Sequence, residues 1–213
     1  MSKLNEWKVE LIIADDKGCR FYLDHYKPFR LAALKQDPYA FGSTYDREIC
    51  FTDDDWLSRI KSPLAKTFVA VFPPDEKVLS ATSLIGPLPN ADPASNPFQV
   101  GSEMGDGGDQ HRDHEEASPV SFQISGVYTA PEARGQGVAK AVVKAAAEQA
   151  AKYAKQRGKQ LALSVVVYAS NTAAIAFYET CSFVVSTKGP RESFNPHKNS
   201  RADELCMHYH QVS

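Results

Sequence analysis

The chain has 213 residues, 43% of them hydrophobic and 23% charged, which is typical of a globular protein rather than a disordered or fibrous one. Its formal net charge of -2 gives no overall attraction to nucleic acid or anionic lipid, so we expect neither as a partner. This length is enough to bury a core without a disulfide or a metal, and we expect a single domain over residues 1–213.

The amino-terminal third predicts a strand, two helices and a hairpin. The first residues do not have the pattern of a signal peptide, and no apolar run in the chain has membrane-spanning length. We therefore expect a cytoplasmic protein. The first helix ends at Asp37-Pro38, because the residue before a proline avoids helical geometry. In order, the elements are strand 7–14, helix 21–36, helix 53–60, strand 66–72 and strand 78–86.

Residues 87–119 form a predicted loop that is too long for an ordinary connection. The loop is rich in Pro, Gly, Asp and Ser, and it carries seven carboxylates but only one cation, Arg112. If it overhangs an acceptor site, it attracts polyamines or basic peptides electrostatically. A solvated surface insertion is the alternative reading.

The second half of the chain alternates between strands and helices. Apolar residues on one side of the helix after residue 137 indicate that it packs, and Gly158 is placed to end it. Ser170 or Asn171 is a candidate N-cap for the next helix. The predicted elements are strand 120–129, helix 138–157, buried strand 161–168, helix 172–180, and strands 183–187 and 204–212, which together predict an α/β fold with a mixed sheet flanked by helices.

Two glycines and an arginine lie where strand 120–129 gives way to the helix. A helix N-terminus carries unpaired N–H groups and a partial positive charge, so a loop that exposes backbone there suits a phosphate. Gly135 and Gly137 allow close approach, and Arg134 adds a cation. The loop lacks the Gly-Lys-Ser/Thr of a nucleotide P-loop and the third glycine of the dinucleotide fingerprint.

Residues 134–139, RGQGVA, resemble the Q/R-x-x-G-x-G/A motif of the GNAT acetyltransferase superfamily. A second stretch, NTAAIAFYETCSF from Asn171, is similar to the family's downstream pattern, although Ser182 stands where the family usually has glycine. The order of strands and helices also resembles that family. The resemblance implies a single-domain GNAT fold with a mostly antiparallel sheet and splayed central strands, and it implies transfer of an acetyl group from acetyl-CoA to an amine.

The same resemblance implies a set of cofactor-binding residues. The backbone of Val127 and Thr129 would bind the pantetheine arm of acetyl-CoA, and the amides from Arg134 to Lys140 would hold the pyrophosphate. Asn171 would reach the pantetheine or a phosphate, or would serve only as the helix N-cap. The full implied set is Val127, Tyr128, Thr129, Arg134, Gly135, Gln136, Gly137, Val138, Ala139, Lys140, Asn171, Ala174 and Phe177.

Tyr178 is the candidate catalytic residue implied by the motif. A phenol placed beside the sulfur can protonate the departing thiolate as a general acid; a core aromatic is the alternative. The base that deprotonates the amine is not assigned, because Gln123 and two serines occupy the preceding strand. Glu48 and Glu103 are candidates, and each is also readable as a solvated surface charge.

Acetyl-CoA and a primary amine on a small molecule or polyamine are therefore the expected substrates. A protein N-terminal or lysine acetyltransferase, and a regulatory acyl-CoA-binding protein without transfer, are the alternatives. A last strand with an exposed edge could pair in a homodimer.

Histidines and cysteines are scattered without a strong metal pattern. His111 with His114, and His208 with His210, could each contribute metal ligands, but neither pair has the spacing of a structural zinc site, so we expect no metal. The four cysteines contain no C-x-x-C pair, which favours reduced thiols in a protein that is not secreted; they are Cys19, Cys50, Cys181 and Cys206.

Overall fold

The computed structural model describes residues 6–73, 75–90, 98, 118–195 and 199–210. They group into two compact units: unit 1 is Met1–Ile85 with Ile124–Ala147, and unit 2 is Gly86–Gln123 with Glu148–Ser213. The α/β class with mostly antiparallel strand pairing and helices is confirmed, while the single domain over 1–213 stays a prediction. Within the described residues, no helix is both long and apolar enough to cross a bilayer.

The strands of unit 1 are the predicted ones. Strand β1 (Lys8–Leu11) pairs antiparallel with β2 (Ala65–Phe72), and β2 pairs antiparallel with β3 (Lys77–Leu88), which confirms the hairpin. Strand β4 (Val120–Thr129) has the predicted bounds and contributes residues 124–129 to this unit. Residues 87 and 88 of the loop expected at 87–119 belong to β3. Residues 91–97 and 99–117 lie outside the described residues, and so do the candidates Glu103, His111 and His114.

The helices of unit 1 include one that the sequence did not predict. The first predicted helix is a succession of α1, a π-helical turn and α2. The helix that was not predicted, α3, is too short to show periodicity in the sequence. Thr44 Oγ1 caps it by accepting a hydrogen bond from Arg47 N (3.2 Å). The bounds are α1 (Asp16–Phe21), the π turn (Tyr22–Tyr26), α2 (Lys27–Gln36), α3 (Tyr45–Ile49), α4 (Asp53–Lys61) and α5 (Val138–Gln156), with residues 138–147 of α5 in this unit.

Successive residues of β2 point into two different cores, as the alternation of a strand requires. Val69 and Val71 pack in one cluster with the fully buried Trp56 of α4. Ala70, between them, packs with Val142 of α5 in a second cluster. Unit 1 therefore has α4 on one face of β2 and α5 on the other.

Unit 2 contains the carboxyl-terminal strands and helix α6. Strand β7 was not predicted, because its sequence RESFN is polar and mostly exposed and has no apolar alternation. The carboxyl-terminal end of α5 lies where the sequence predicts it, since Gly158 has φ +65° and Lys159 N donates to Ala154 O (3.0 Å). The bounds are β5 (Leu161–Tyr168), α6 (Thr172–Thr180), β6 (Phe183–Val185), β7 (Arg191–Asn195) and β8 (Ser200–Tyr209).

Strand β8 is not the exposed edge that the sequence suggested. It pairs antiparallel with β5 through residues 204–208, and on its other side it pairs with β6 and β7. The expectation of a free edge here is wrong because β7 and β6 together cover β8 from Ser200 to Tyr209. The predicted homodimer through a free edge of this strand is therefore not supported.

Candidate active site

The junction between β4 and α5 forms a loop that we call the amide cradle (residues 134–140). A 3-10 turn, Pro131–Ala133, leads out of β4, and Gly135 and Gly137 have φ of +73° and +78°. Glycine adopts such left-handed conformations without strain, which explains both glycines. The carbonyl of Gly137 accepts from Ala141 N (3.1 Å), and this bond begins the helix.

The cradle exposes its hydrogen-bond donors. Residues 134–137 are exposed, and the first N–H groups of the helix that begins at Val138 have no partner within the helix. A Cβ on either glycine would meet no atom within 4 Å, so the loop lies against open space. The 19-residue helix behind it adds the positive end of its dipole. This arrangement fits a phosphate group.

Arg134 is held by the protein itself. Its Nη2 donates to Asp37 Oδ2 in an ion pair of 2.6 Å, and its Nε donates to the carbonyl of Thr129 (3.1 Å). The hydrogen bond to Asp37 raises the pKa of Arg134. Asp37 therefore balances the charge of the guanidinium, and a contact between Arg134 and a phosphate stays a prediction.

Tyr128 joins the same network through its hydroxyl, which donates to Asp37 Oδ2 (2.9 Å). Its ring is buried, with the rings of Phe29 and Phe41 each 5.6 Å away between centroids. Burial and the bond to Asp37 raise the pKa of the Tyr128 phenol. Tyr128 and Arg134 thus share the carboxylate of Asp37, and through it the Tyr128 side chain helps to hold Arg134 in place.

The end of β4 is anchored on the neighbouring strand by Ser80. Its hydroxyl donates to the carbonyl of Tyr128 (2.8 Å) and lies 2.8 Å from Thr129 Oγ1. The carbonyl of Thr129 keeps a second lone pair after accepting from Arg134. The predicted contacts of Val127 and Thr129 with pantetheine stay predictions.

Glu48 is a buried carboxylate, so the alternative prediction of a solvated surface charge is wrong. It is 1% exposed and accepts from Arg30 Nε (3.1 Å) and Nη2 (2.9 Å), with Arg59 Nη1 at 3.5 Å. Burial alone would raise the pKa of Glu48, but the ion pairs with Arg30 and Arg59 lower it. A carboxylate so held binds a proton weakly, so Glu48 is a poor general base.

The remaining predicted site residues lie on α6 in unit 2. Asn171 is the N-cap: its Oδ1 accepts from Ala174 N (3.1 Å), as one of the two readings expected. Ala174 and Phe177 are half-buried. Contacts of these three residues with a cofactor stay predictions.

Tyr178 is buried in an aromatic cluster, 5.3 Å from the ring of Phe177 and 5.7 Å from that of Phe183. Its side chain is 8% exposed, and no described residue hydrogen-bonds its hydroxyl. Burial raises the pKa of the Tyr178 phenol well above its usual value. The phenol therefore stays protonated at neutral pH and keeps a hydrogen available for donation.

Ser182 keeps the backbone conformation that the family's glycine would have. Its φ is +66°, and its N–H donates to Glu179 O (3.1 Å) while its carbonyl accepts from His210 N (2.8 Å). A side chain in this region carries strain. Serine at this turn therefore adopts a conformation that glycine would adopt without strain.

The histidine pairs give no metal centre among the residues that the structure describes, where no three His, Cys, Asp or Glu side chains are grouped to hold an ion. His208 Nε2 lies 3.7 Å from Cys206 Sγ, and burial lowers the pKa of His208. The pair His111 and His114 lies outside the described residues.

Sequence reasoning missed Asp37 and Ser80. In the sequence, Asp37 indicates only the end of a helix, and nothing local relates it to Arg134, which is 97 positions away. The cradle and the β4 residues lie in unit 1, whereas Asn171 to Tyr178 lie in unit 2. The residues that the structure brings together are therefore Asp37, Ser80, Tyr128, Thr129 and Arg134.

Residues 109–183, a range that includes β4, the amide cradle, α5, β5 and α6, match the model of the acetyltransferase (GNAT) family. This stretch of the chain is similar to the GNAT acetyltransferases. No curated protein sequence matches the chain. The resemblance that the two motifs indicated is thus confirmed for the stretch where it is strongest.

Solved structures share the GNAT fold with this chain at low sequence identity. NAA60 of Arabidopsis thaliana, crystallised with a bisubstrate analogue, is 11% identical with a TM-score of 0.63, covering 96% of this chain and 100% of that one. A GNAT-family acetyltransferase of Streptococcus pneumoniae is 14% identical with a TM-score of 0.58, over 96% and 100% of the two chains. Ribosomal-protein-alanine N-acetyltransferase of Brucella melitensis is 16% identical with a TM-score of 0.58, over 96% and 99%.

Proposed function

We propose that the protein is an N-acetyltransferase that transfers an acetyl group from acetyl-CoA directly to a primary amine, carried by a small molecule or a polyamine. The observation that carries the proposal is the amide cradle, an exposed glycine-rich loop at the start of α5. This loop fits the pyrophosphate of acetyl-CoA. The family match over the same residues supports the assignment.

Each part of the cradle has its own task in this function. The N–H groups of residues 135–140 bind the pyrophosphate oxygens, and the positive φ of Gly135 and Gly137 keeps these groups directed to one side. The Asp37 and Tyr128 contacts hold the side chain of Arg134 in place before any ligand binds, so that less conformational entropy is lost on binding.

Acetyl-CoA supplies an acetyl group activated as a thioester. Tyr178 is the residue that we propose handles the proton: its buried phenol stays protonated at neutral pH, and its hydrogen is free to be donated to a thiolate. Because Glu48 is fixed by Arg30 and Arg59, deprotonation of the amine is assigned to no described carboxylate.

A protein acceptor is the second candidate. The Brucella melitensis structure is a ribosomal-protein-alanine N-acetyltransferase, and Arabidopsis thaliana NAA60 has also been crystallised with acetyl-CoA. These structures, including both complexes of NAA60, share the fold with our chain at 11% to 17% identity, so the acceptor has to be found by assay. The acidic composition of residues 87–119 supports a cationic acceptor.

The test is release of CoA thiol from acetyl-CoA with a panel of small amines, polyamines, and peptides with free N-termini or lysines. Release that depends on one small-amine class supports the proposal. Release with peptides alone replaces it with the protein-acceptor reading. Silence across the panel, together with saturable acetyl-CoA binding by calorimetry, replaces it with a regulatory acyl-CoA-binding protein. Absence of acetyl-CoA binding overturns all three.

A further inference from the structure

Unit 1 contains a cavity of about 440 Å³. One wall comes from the π turn and α2, and the other from the start of β3 and the residues that follow β4. This volume is within the range of natural small-molecule sites. Its walls include Tyr128 but no residue of the amide cradle.

The floor of the cavity is apolar and buried. Ala33, Val78, Tyr128 and Ala130 line it, and each of them is at most 9% exposed. The half-buried ring of Phe29 lies beside that of Tyr128, 5.6 Å away between centroids. Such a floor accepts an aromatic or aliphatic body.

The rim of the cavity is charged and exposed. Asp24, Asp75 and Glu132 supply three carboxylates, while Lys77 is the one Lys or Arg among the described lining residues. The ammonium of Lys77 is paired with Glu132 Oε1 at 2.8 Å, and this bond lowers the pKa of Glu132. Asp75 Oδ1 accepts from the backbone N–H of Lys77 (3.1 Å), and three carboxylates against one ammonium among the described lining residues leave the rim net negative.

We propose that this cavity binds a small organic cation with an apolar ring, with the ring on the floor and the positive group between Asp24 and Asp75. The inference goes beyond the proposed function, because it assigns a second ligand site and does not require that the ligand be acetylated. Charge complementarity at the rim selects a cation over an anion of the same shape.

The probe is benzyltrimethylammonium, which has the ring and a permanent charge but no N–H or lone pair that could take an acetyl group. Ligand-detected NMR titration of the full chain is expected to give saturable binding with a Kd on the order of 1 mM. Phenylacetate, which has a ring and the opposite charge, is the matched probe and is expected to bind at least about tenfold more weakly.

Three variants localise the site. Ala32→Trp, on the exposed side of α2, fills the cavity and should abolish binding. Asp24→Asn should weaken binding about threefold to tenfold by removing one rim charge. Asp54→Asn, an exposed carboxylate of α4 outside the cavity, should leave the affinity unchanged.

Far-UV circular dichroism confirms that each variant is folded before it is titrated. Absence of saturable binding, equal affinity for phenylacetate, or undiminished binding by folded Ala32→Trp each overturns the proposal. Because the probe cannot be acetylated, none of these results bears on transferase activity, and a silent acetylation panel leaves this result standing.

Discussion

Removal of the charge of Glu48 is expected to destabilise unit 1 strongly. Glu48→Gln keeps the shape of the side chain but leaves two guanidiniums facing a neutral amide, and Arg30 and Arg59 are only 13% and 28% exposed. Breaking a buried ion pair by neutralising one partner typically costs 3–5 kcal/mol. Since glutamine retains one acceptor oxygen, we expect a loss of about 3 kcal/mol in the free energy of unfolding.

Tryptophan fluorescence during urea denaturation measures this loss. Both tryptophans of the chain, Trp7 and Trp56, lie in unit 1, and the guanidinium of Arg59 is 5.4 Å from the ring of Trp56. Glu10→Gln is the matched control, because Glu10 belongs to an exposed pair with Lys8 and should not shift the midpoint. A loss below about 1 kcal/mol for Glu48→Gln would refute the view that the cluster of Glu48, Arg30 and Arg59 holds this unit together.

The stability difference between wild type and Glu48→Gln should also depend on pH. Because the ion pairs lower the pKa of Glu48 in the folded state, its contribution is fully present above the unfolded pKa, about 4.3, and is lost as pH falls through the folded pKa. The difference in unfolding free energy between wild type and Glu48→Gln should be constant from about pH 6 to 8 and should shrink below about pH 4. A difference that grows on acidification contradicts this sign.

Three further outcomes follow from the site. Ser182→Gly should raise the free energy of unfolding by about 1 kcal/mol by relieving the strain at φ +66°, whereas Ser182→Ala should bring no gain; equal effects would remove the strain argument. Gly137→Ala and Gly158→Ala both place a side chain at positive φ in open space, so both should cost stability to a similar extent, but only Gly137→Ala should weaken acetyl-CoA binding in calorimetry. Tyr178→Phe should lower turnover at least about tenfold with acetyl-CoA affinity nearly unchanged, and an unaltered turnover would end the proposed role of its phenol.

The sequence predicted the elements whose pattern is set by burial. Strands β4 and β5 have their predicted bounds, because β5 is mostly buried and both strands end at recognisable turn residues. Helix α5 also ends where Gly158 indicated. In contrast, β7 is held by pairing with β8, and its exposed side chains leave no periodic trace in the sequence.

The candidate site was predictable only where it depends on local backbone. The cradle follows from the spacing of Gly135 and Gly137, since positive φ at a helix entrance is a local requirement. The partner of Arg134 was not predictable, because Asp37 meets it through tertiary packing over 97 positions. The same holds for Glu48, whose burial depends on two arginines that flank it in sequence at distances of 18 and 11 positions.

The course of the chain through the two units limits how this protein can be dissected. The boundaries 85/86, 123/124 and 147/148 fall inside β3, β4 and α5, so no linker separates the units. Neither unit is one continuous piece of sequence, and any truncation that aims to isolate one of them cuts a strand or a helix. Limited proteolysis at these boundaries would require unwinding regular structure, so fragments that correspond to the units should not accumulate.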